Sequence, residues 1–170
     1  LDKADSFKLL QDHEWCRFLV EHMFFDEARP LLKELAAKAP QFTPVQNNLA
    51  MILFLDGDLA TAQATTNQVL SVEPDNYHAL ANLSRIHFFN GELAEARAAA
   101  ARLLQVQNDN HDLPFKKIET LTYLGADEDI LTVYQGLRNK NKLFGLAQIQ
   151  FAAGTAHYRL GDEKAAQKLW

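Results

Sequence analysis

Six histidines, one cysteine and a short acidic run are the side chains in this 170-residue chain whose types could carry catalysis or hold a metal. Two imidazoles reach one zinc ion when they sit one helical turn apart, at i and i+4. His13 and His22 stand nine residues apart, as do His78 and His87, and His13-Glu14-Trp15-Cys16 lacks the second histidine of a zinc-protease helix. A lone Cys16 forms neither an internal disulfide nor a thiolate metal site. Glycine-rich phosphate loops, a nucleophile elbow and paired catalytic carboxylates are absent from the sequence. Asp127-Glu128-Asp129 reads as the negatively charged first turn of a helix, and Arg138, Lys140 and Lys142 suit the opposite end of its dipole, with a phosphate-binding patch as the lesser reading. The expectation is a chain with no catalytic residue, no cofactor and no metal site.

Composition narrows the partners. Seventeen Lys plus Arg against 22 Asp plus Glu give a net charge of -5, without the basic footprint of nucleic-acid and anionic-membrane binders. Apolar stretches such as Leu49 to Leu55 fall far below the ~20 residues that span a bilayer. Residues Leu1 to Lys8 carry no basic region followed by an apolar core, so a cytoplasmic chain is expected. Because the sequence opens on Leu1 and stops at Trp170 inside a helical pattern, a segment of something longer is also expected.

The elements that must position these side chains repeat. Shifting the sequence by 34 residues puts Pro40 on Pro74, Asn48 on Asn82, Leu49 on Leu83, Gly57 on Gly91, Ala60 on Ala94, Ala62 on Ala96 and Leu70 on Leu104. Another such step carries Gly91 to Gly125, and a step of 36 carries Gly125 to Gly161. Between these marks apolar residues recur at three- and four-residue spacing, and no segment alternates like a strand. Each glycine ends one helix through a left-handed turn, and Asp58, Glu92 and Asp162 place negative charge at the next helix's start. Thr43-Pro44 offers a capping hydroxyl and a first-turn proline, and Asp75-Asn76 caps the following unit. Five antiparallel helix pairs follow, at about residues 6–40, 43–73, 77–107, 112–138 and 144–170.

The pattern resembles the tetratricopeptide repeat on the spacing of Leu49, Ala50, Gly57, Ala62 and Pro74, and again of Leu83, Ser84, Gly91 and Ala96. The resemblance divides the chain into residues 1–8 before the array, units at 9–42, 43–76 and 77–110, a divergent unit at 111–146 and a truncated one at 147–170. Cys16, Ala50, Ser84 and Gly154 on first helices oppose Ala28, Ala62, Ala96 and Ala166 on second helices, small against small for close packing. Ile118 and Ile130 enlarge both partners in the fourth unit, whose helices should stand farther apart and bend the array there. His87 and His157 occupy a position that the family fills with an aromatic, so both are expected to pack in the core.

The resemblance implies an all-α, right-handed α-solenoid (superhelix) whose first helices line a concave groove that receives a partner peptide or amphipathic helix. Groove-facing candidates are Arg17 in the first unit, Asn47, Met51, Phe54 and Leu55 in the second, and His78, Arg85, Phe88 and Phe89 in the third. Tyr123 and Tyr158 follow in the last two. Phe54, Phe88, Tyr123 and Tyr158 are read as one aromatic stripe, and Arg17 and Arg85 as orienting acidic or carbonyl groups in a neutral-to-basic cleft. The Lys and Asn residues with which similar domains clamp an acidic chaperone tail are replaced at their positions by His13 and Arg17 in one register, or by Asn47 and Met51 in the next, which disfavours that ligand. Rival expectations are self-association, as a homodimer through the C-terminal end, and a regulatory segment of a larger enzyme.

Overall fold

The structure, a computed structural model, describes residues 3–139 and 147–170. Among them the chain forms ten helices and no strand, taken in pairs: α1 (Lys3–Glu21) with α2 (Phe25–Lys38), α3 (Thr43–Leu55) with α4 (Leu59–Val72), α5 (Tyr77–Phe89) with α6 (Leu93–Gln105), α7 (Asp112–Leu124) with α8 (Asp127–Asn139), and α9 (Ala147–Arg159) with the short α10 (Glu163–Leu169). Lys140 and Lys142 lie outside the described residues.

Each pair turns through a left-handed residue. Gly57, Gly91, Gly125 and Gly161 take φ of 81°, 80°, 65° and 86°, and Met23 fills the same place in the first pair at 62°. The residue after each returns its N–H to the preceding helix, as from Asp58 to the Leu53 carbonyl at 2.9 Å and from Glu92 to that of His87 at 2.9 Å. Helix starts are then capped by Asp58, which accepts from the Thr61 amide at 3.1 Å, Asn76, from Ala79 at 3.0 Å, and Asp162, from Ala165 at 3.0 Å. Two expectations change here. The Thr43 hydroxyl does not cap α3 but donates to Glu73 Oε1 at 2.8 Å. His87 is only partly core: its Nδ1 lies 2.5 Å from Glu92 Oε2, joining the two helices across the turn, and His157 faces Asp162 at 3.8 Å in the same way.

Packing follows side-chain size. Cys16, Ala50, Ser84, Ala28, Ala62, Ala96 and Ala166 are all fully buried, and the Ser84 hydroxyl donates to the Ala96 carbonyl at 2.8 Å across its pair. Burial pushes the Cys16 thiol up to about 11, with Asp12 adding to the shift, so it packs as a small apolar group. In the fourth unit Ile118 and Ile130 share one core with Tyr134 and Ile149. There fewer residues of α7 and α8 approach one another closely than in any other pair.

Contacts between units set the curvature. First helices pack on one another along the series α1, α3, α5, α7 and α9, and each second helix packs on the first helix of the next unit. Among the described residues, second helices bring no Cα atoms within 8 Å of one another. A stack whose first helices touch while its second helices splay must curve with the first helices inside.

Candidate functional site

On this inner layer the C-terminal ends of α3, α5 and α7 bring aromatic rings into a row. Phe54 meets Phe89 edge-on with ring centres 5.2 Å apart, Phe89 meets Phe88 at 5.5 Å, and Phe88 meets Tyr123 at 5.3 Å. The rings support one another but are not sealed: Phe89 stays 62% exposed and Leu55 beside it 48%. Adjacent residues project about 100° apart on a helix, so packing that half-covers Phe88 leaves Phe89 in water. The Tyr123 hydroxyl reaches the Ala81 carbonyl at 3.4 Å, and burial raises its pKa above the ordinary tyrosine value.

The stripe is not the one expected from residue type. Counted back from the turn glycines, Phe54, Phe88 and Tyr158 stand three residues before, whereas Tyr123 stands two before, at the position of Leu55 and Phe89. Rings therefore bridge neighbouring units with a one-residue offset. Tyr158, 55% exposed, belongs elsewhere: it joins Phe151 and Trp170 on the last pair, at 5.8 Å from the Trp170 ring.

Beneath the rings lies a ladder at one repeat position, Met51, Arg85 and Glu119, successive residues 34 apart. Arg85 is buried, donates to Glu119 Oε1 at 2.8 Å, approaches the Met51 sulfur at 3.2 Å and lies 5.9 Å over the Phe54 ring. Lys116 donates to the other Glu119 oxygen at 2.9 Å. Arg85 is thus not a free cation offered to a ligand, and the 34-residue spacing to Glu119 was the signal that would have revealed its partner. Arg17, though exposed, is held by Glu14 at 2.7 Å and Glu21 at 2.6 Å on its own helix. Arg159 faces Asp127 at 3.4 Å. The inner face is accordingly neutralised by ion pairs rather than basic.

Asn47 also serves the fold. It is buried, with its side-chain amide donating to Asn76 Oδ1 at 3.1 Å and its backbone carbonyl accepting from Asn82 at 3.2 Å, which ties α3 to α5. His78 is half-buried against the Tyr77 ring at 4.1 Å, and burial, helped by Lys116, lowers its pKa below the usual histidine value. Of the expected residues, Met51, Phe54, Leu55, Phe88, Phe89 and Tyr123 come together as one half-wet apolar surface. Arg17 and Tyr158 lie on the outer units, and Asn47 and Arg85 belong to the floor.

Among the described residues no His, Cys, Asp and Glu side chains group as a metal site, and no helix is long and apolar enough to cross a membrane. A family model described as tetratricopeptide repeat matches residues 25–75 and again 53–113. The TPR repeat-containing protein YvcD of Bacillus subtilis (strain 168) is 33% identical over 76 residues, a match that spans 45% of this chain and 16% of that protein. A thermophilic TPR protein of Thermus thermophilus superimposes with a TM-score of 0.71 at 15% identity, covering 95% of this chain and 87% of that one. YrrB, described as a TPR protein with an unusual peptide-binding site, gives 0.55 at 11% identity, covering 93% and 80%.

Proposed function

The chain belongs to the tetratricopeptide repeat family, and from that premise we propose that it is a non-catalytic module whose inner helix layer receives an apolar or amphipathic helical segment of a partner protein. Protein–protein interaction is the general work of the family. The observation that carries the finer reading is the unsealed ring row Phe54–Phe89–Phe88–Tyr123, with Leu55 and Met51 beside it. Wet aromatic surface on the inside of a curved stack is where a partner's apolar side chains gain most from leaving water. Met51 adds an adaptable contact. Neutral ion pairs under the row favour apolar anchors over a highly charged tail. The peptide-binding site named for YrrB supports the same kind of use on the same fold.

The test begins with peptides selected from a random display library on the wild-type chain, followed by calorimetry on the selected sequences. Amphipathic sequences with apolar residues at i, i+3 and i+4 are expected, binding at least tenfold more weakly when Phe88→Ala and Phe89→Ala are combined and the circular dichroism is unchanged. Equal affinity for the double variant would remove this site.

Self-association is the second reading, favoured by one observation. Phe151, Tyr158 and Trp170 form an exposed ring cluster on the last helix pair, 63%, 55% and 58% accessible, with Trp170 lying against Gly154. Light scattering across a hundredfold concentration range decides between a monomer and a dimer joined there.

A further inference from the structure

The outer layer carries a feature that partner capture on the inner face does not use. Between α8 and the α9–α10 hairpin lies a cleft of about 880 Å³ whose walls include Arg138, Lys164 and Lys168, with Leu131 and Tyr134 on its α8 side. Its one lining acid, Asp162, is committed: one oxygen caps the Ala165 amide at 3.0 Å and the other faces His157 at 3.8 Å. Among the described residues none of the three cations is held in an ion pair.

The repeat itself shows that these charges are not required by the fold. Lys164 and Lys168 stand three and seven residues past Gly161; the same places hold Ala94 and Ala98 after Gly91, Ala60 and Ala64 after Gly57, and Glu128 and Thr132 after Gly125. Arg138 stands 13 past Gly125, where the two preceding units place Leu104 and Leu70. Three cations replace alanine and leucine at one junction only, in a chain whose net charge is -5.

We propose that this cleft binds a phosphate-bearing small molecule. Its volume lies within the ~300–1,000 Å³ range of small-molecule sites. Lys164 and Lys168, one helical turn apart, supply point charges from one wall, and the Arg138 guanidinium supplies a fork matched to phosphate oxygens from the other. Leu131 and Leu169, both partly exposed, line the same cleft and give an organic body somewhere to rest. The proposal is one of binding alone: His157, which also lines the cleft, faces Asp162 at 3.8 Å.

The experiment is calorimetric titration of the full chain with inorganic tripolyphosphate, ATP and adenosine in about 50 mM salt, where phosphate contacts are least screened. One-to-one binding of ATP or tripolyphosphate, weakened at least tenfold by Lys164→Gln with Lys168→Gln, is the expected result. ATP binding tighter than tripolyphosphate supports contact with the body as well as the phosphates, and equal affinity supports a site that reads phosphate alone. A control pair on the first unit, Lys8→Gln with Lys33→Gln, leaves both affinities unchanged. The proposal is overturned if neither phosphate ligand binds, if adenosine binds as well as ATP, or if the control pair weakens binding as much as the cleft pair.

Discussion

Replacing Met23 by glycine should stabilise the protein, because Met23 holds a turn that the other four pairs give to glycine. Its φ of 62° sits beside the glycine values of 65° to 86°. Its turn makes the same bonds, Met23 N–H to the Val20 carbonyl at 3.1 Å and Phe24 N–H to that of Leu19 at 2.8 Å. For a residue with a Cβ the left-handed conformation costs about 1–2 kcal/mol. Glycine gives back about 0.5–1 kcal/mol through the greater freedom of its unfolded chain. The Met23 side chain is 75% exposed and loses little when removed. The net expectation is therefore a gain of about 0.5–1 kcal/mol. A helical array unfolds by units, so the reading must be local. The chain has two tryptophans, Trp15 in α1 and Trp170; in a Trp170→Phe background, urea unfolding followed by Trp15 fluorescence reports the first pair alone. A midpoint shifted upward with an unchanged slope is predicted. An unchanged or lowered midpoint would mean that Met23 is not strained, and the reasoning from φ would fail. Gly91→Ala, the reverse change, should destabilise by about 1 kcal/mol.

The remaining predictions concern charge and burial. Cys16 should resist Ellman's reagent in the native protein and react fully in 6 M guanidinium (roughly the concentration that unfolds most domains), since burial both covers the thiol and raises its pKa; prompt native labelling would contradict its packing. Glu119→Ala leaves Arg85 buried without its carboxylate and should cost about 1–2 kcal/mol, less than a fully buried pair because Glu119 is one-third exposed; adding Arg85→Met should recover much of that loss in thermal melts. Arg29 grips both oxygens of Asp56 at 2.8 and 2.6 Å and holds that carboxyl below its ordinary value. A depressed folded pKa gives stability that is whole above the unfolded value of about 4 and lost as pH falls through the folded one. The gap between wild type and Arg29→Gln in urea melts should therefore be present at neutral pH and close in strong acid.

What was legible in the sequence was what depends on a single unit. The turn glycines located the hairpins, and the paired small residues located the close contacts, because backbone sterics and side-chain volume act over a few residues. What depends on residues far apart in the chain was read less well. Thr43 has a hydroxyl suited to capping, but Glu73, 30 residues on at the end of α4, takes it. Arg85 and Asn47 looked like ligand contacts on the right helix face, yet Glu119 and Asn76, each from another helix, had already engaged them. Tyr123 was aligned by being aromatic rather than by its distance from Gly125, which misplaced it by one residue. A phosphate-binding patch was a lesser reading for Arg138, Lys140 and Lys142, but Lys164 and Lys168 were missed because they join Arg138 only when α10 folds beside α8; comparing each unit's residues past its glycine would have shown three cations where alanine and leucine recur.

The central claim is that a partner segment is held by the inner helices, and hydrogen exchange on the complex with a library-selected peptide tests it most directly. The account predicts slowed exchange in α3, α5 and α7, greatest around Phe54, Phe88, Phe89 and Tyr123, with α4 and α6 little changed. Protection confined to α4, α6 or the last helix pair, with the inner helices unaltered, would contradict it.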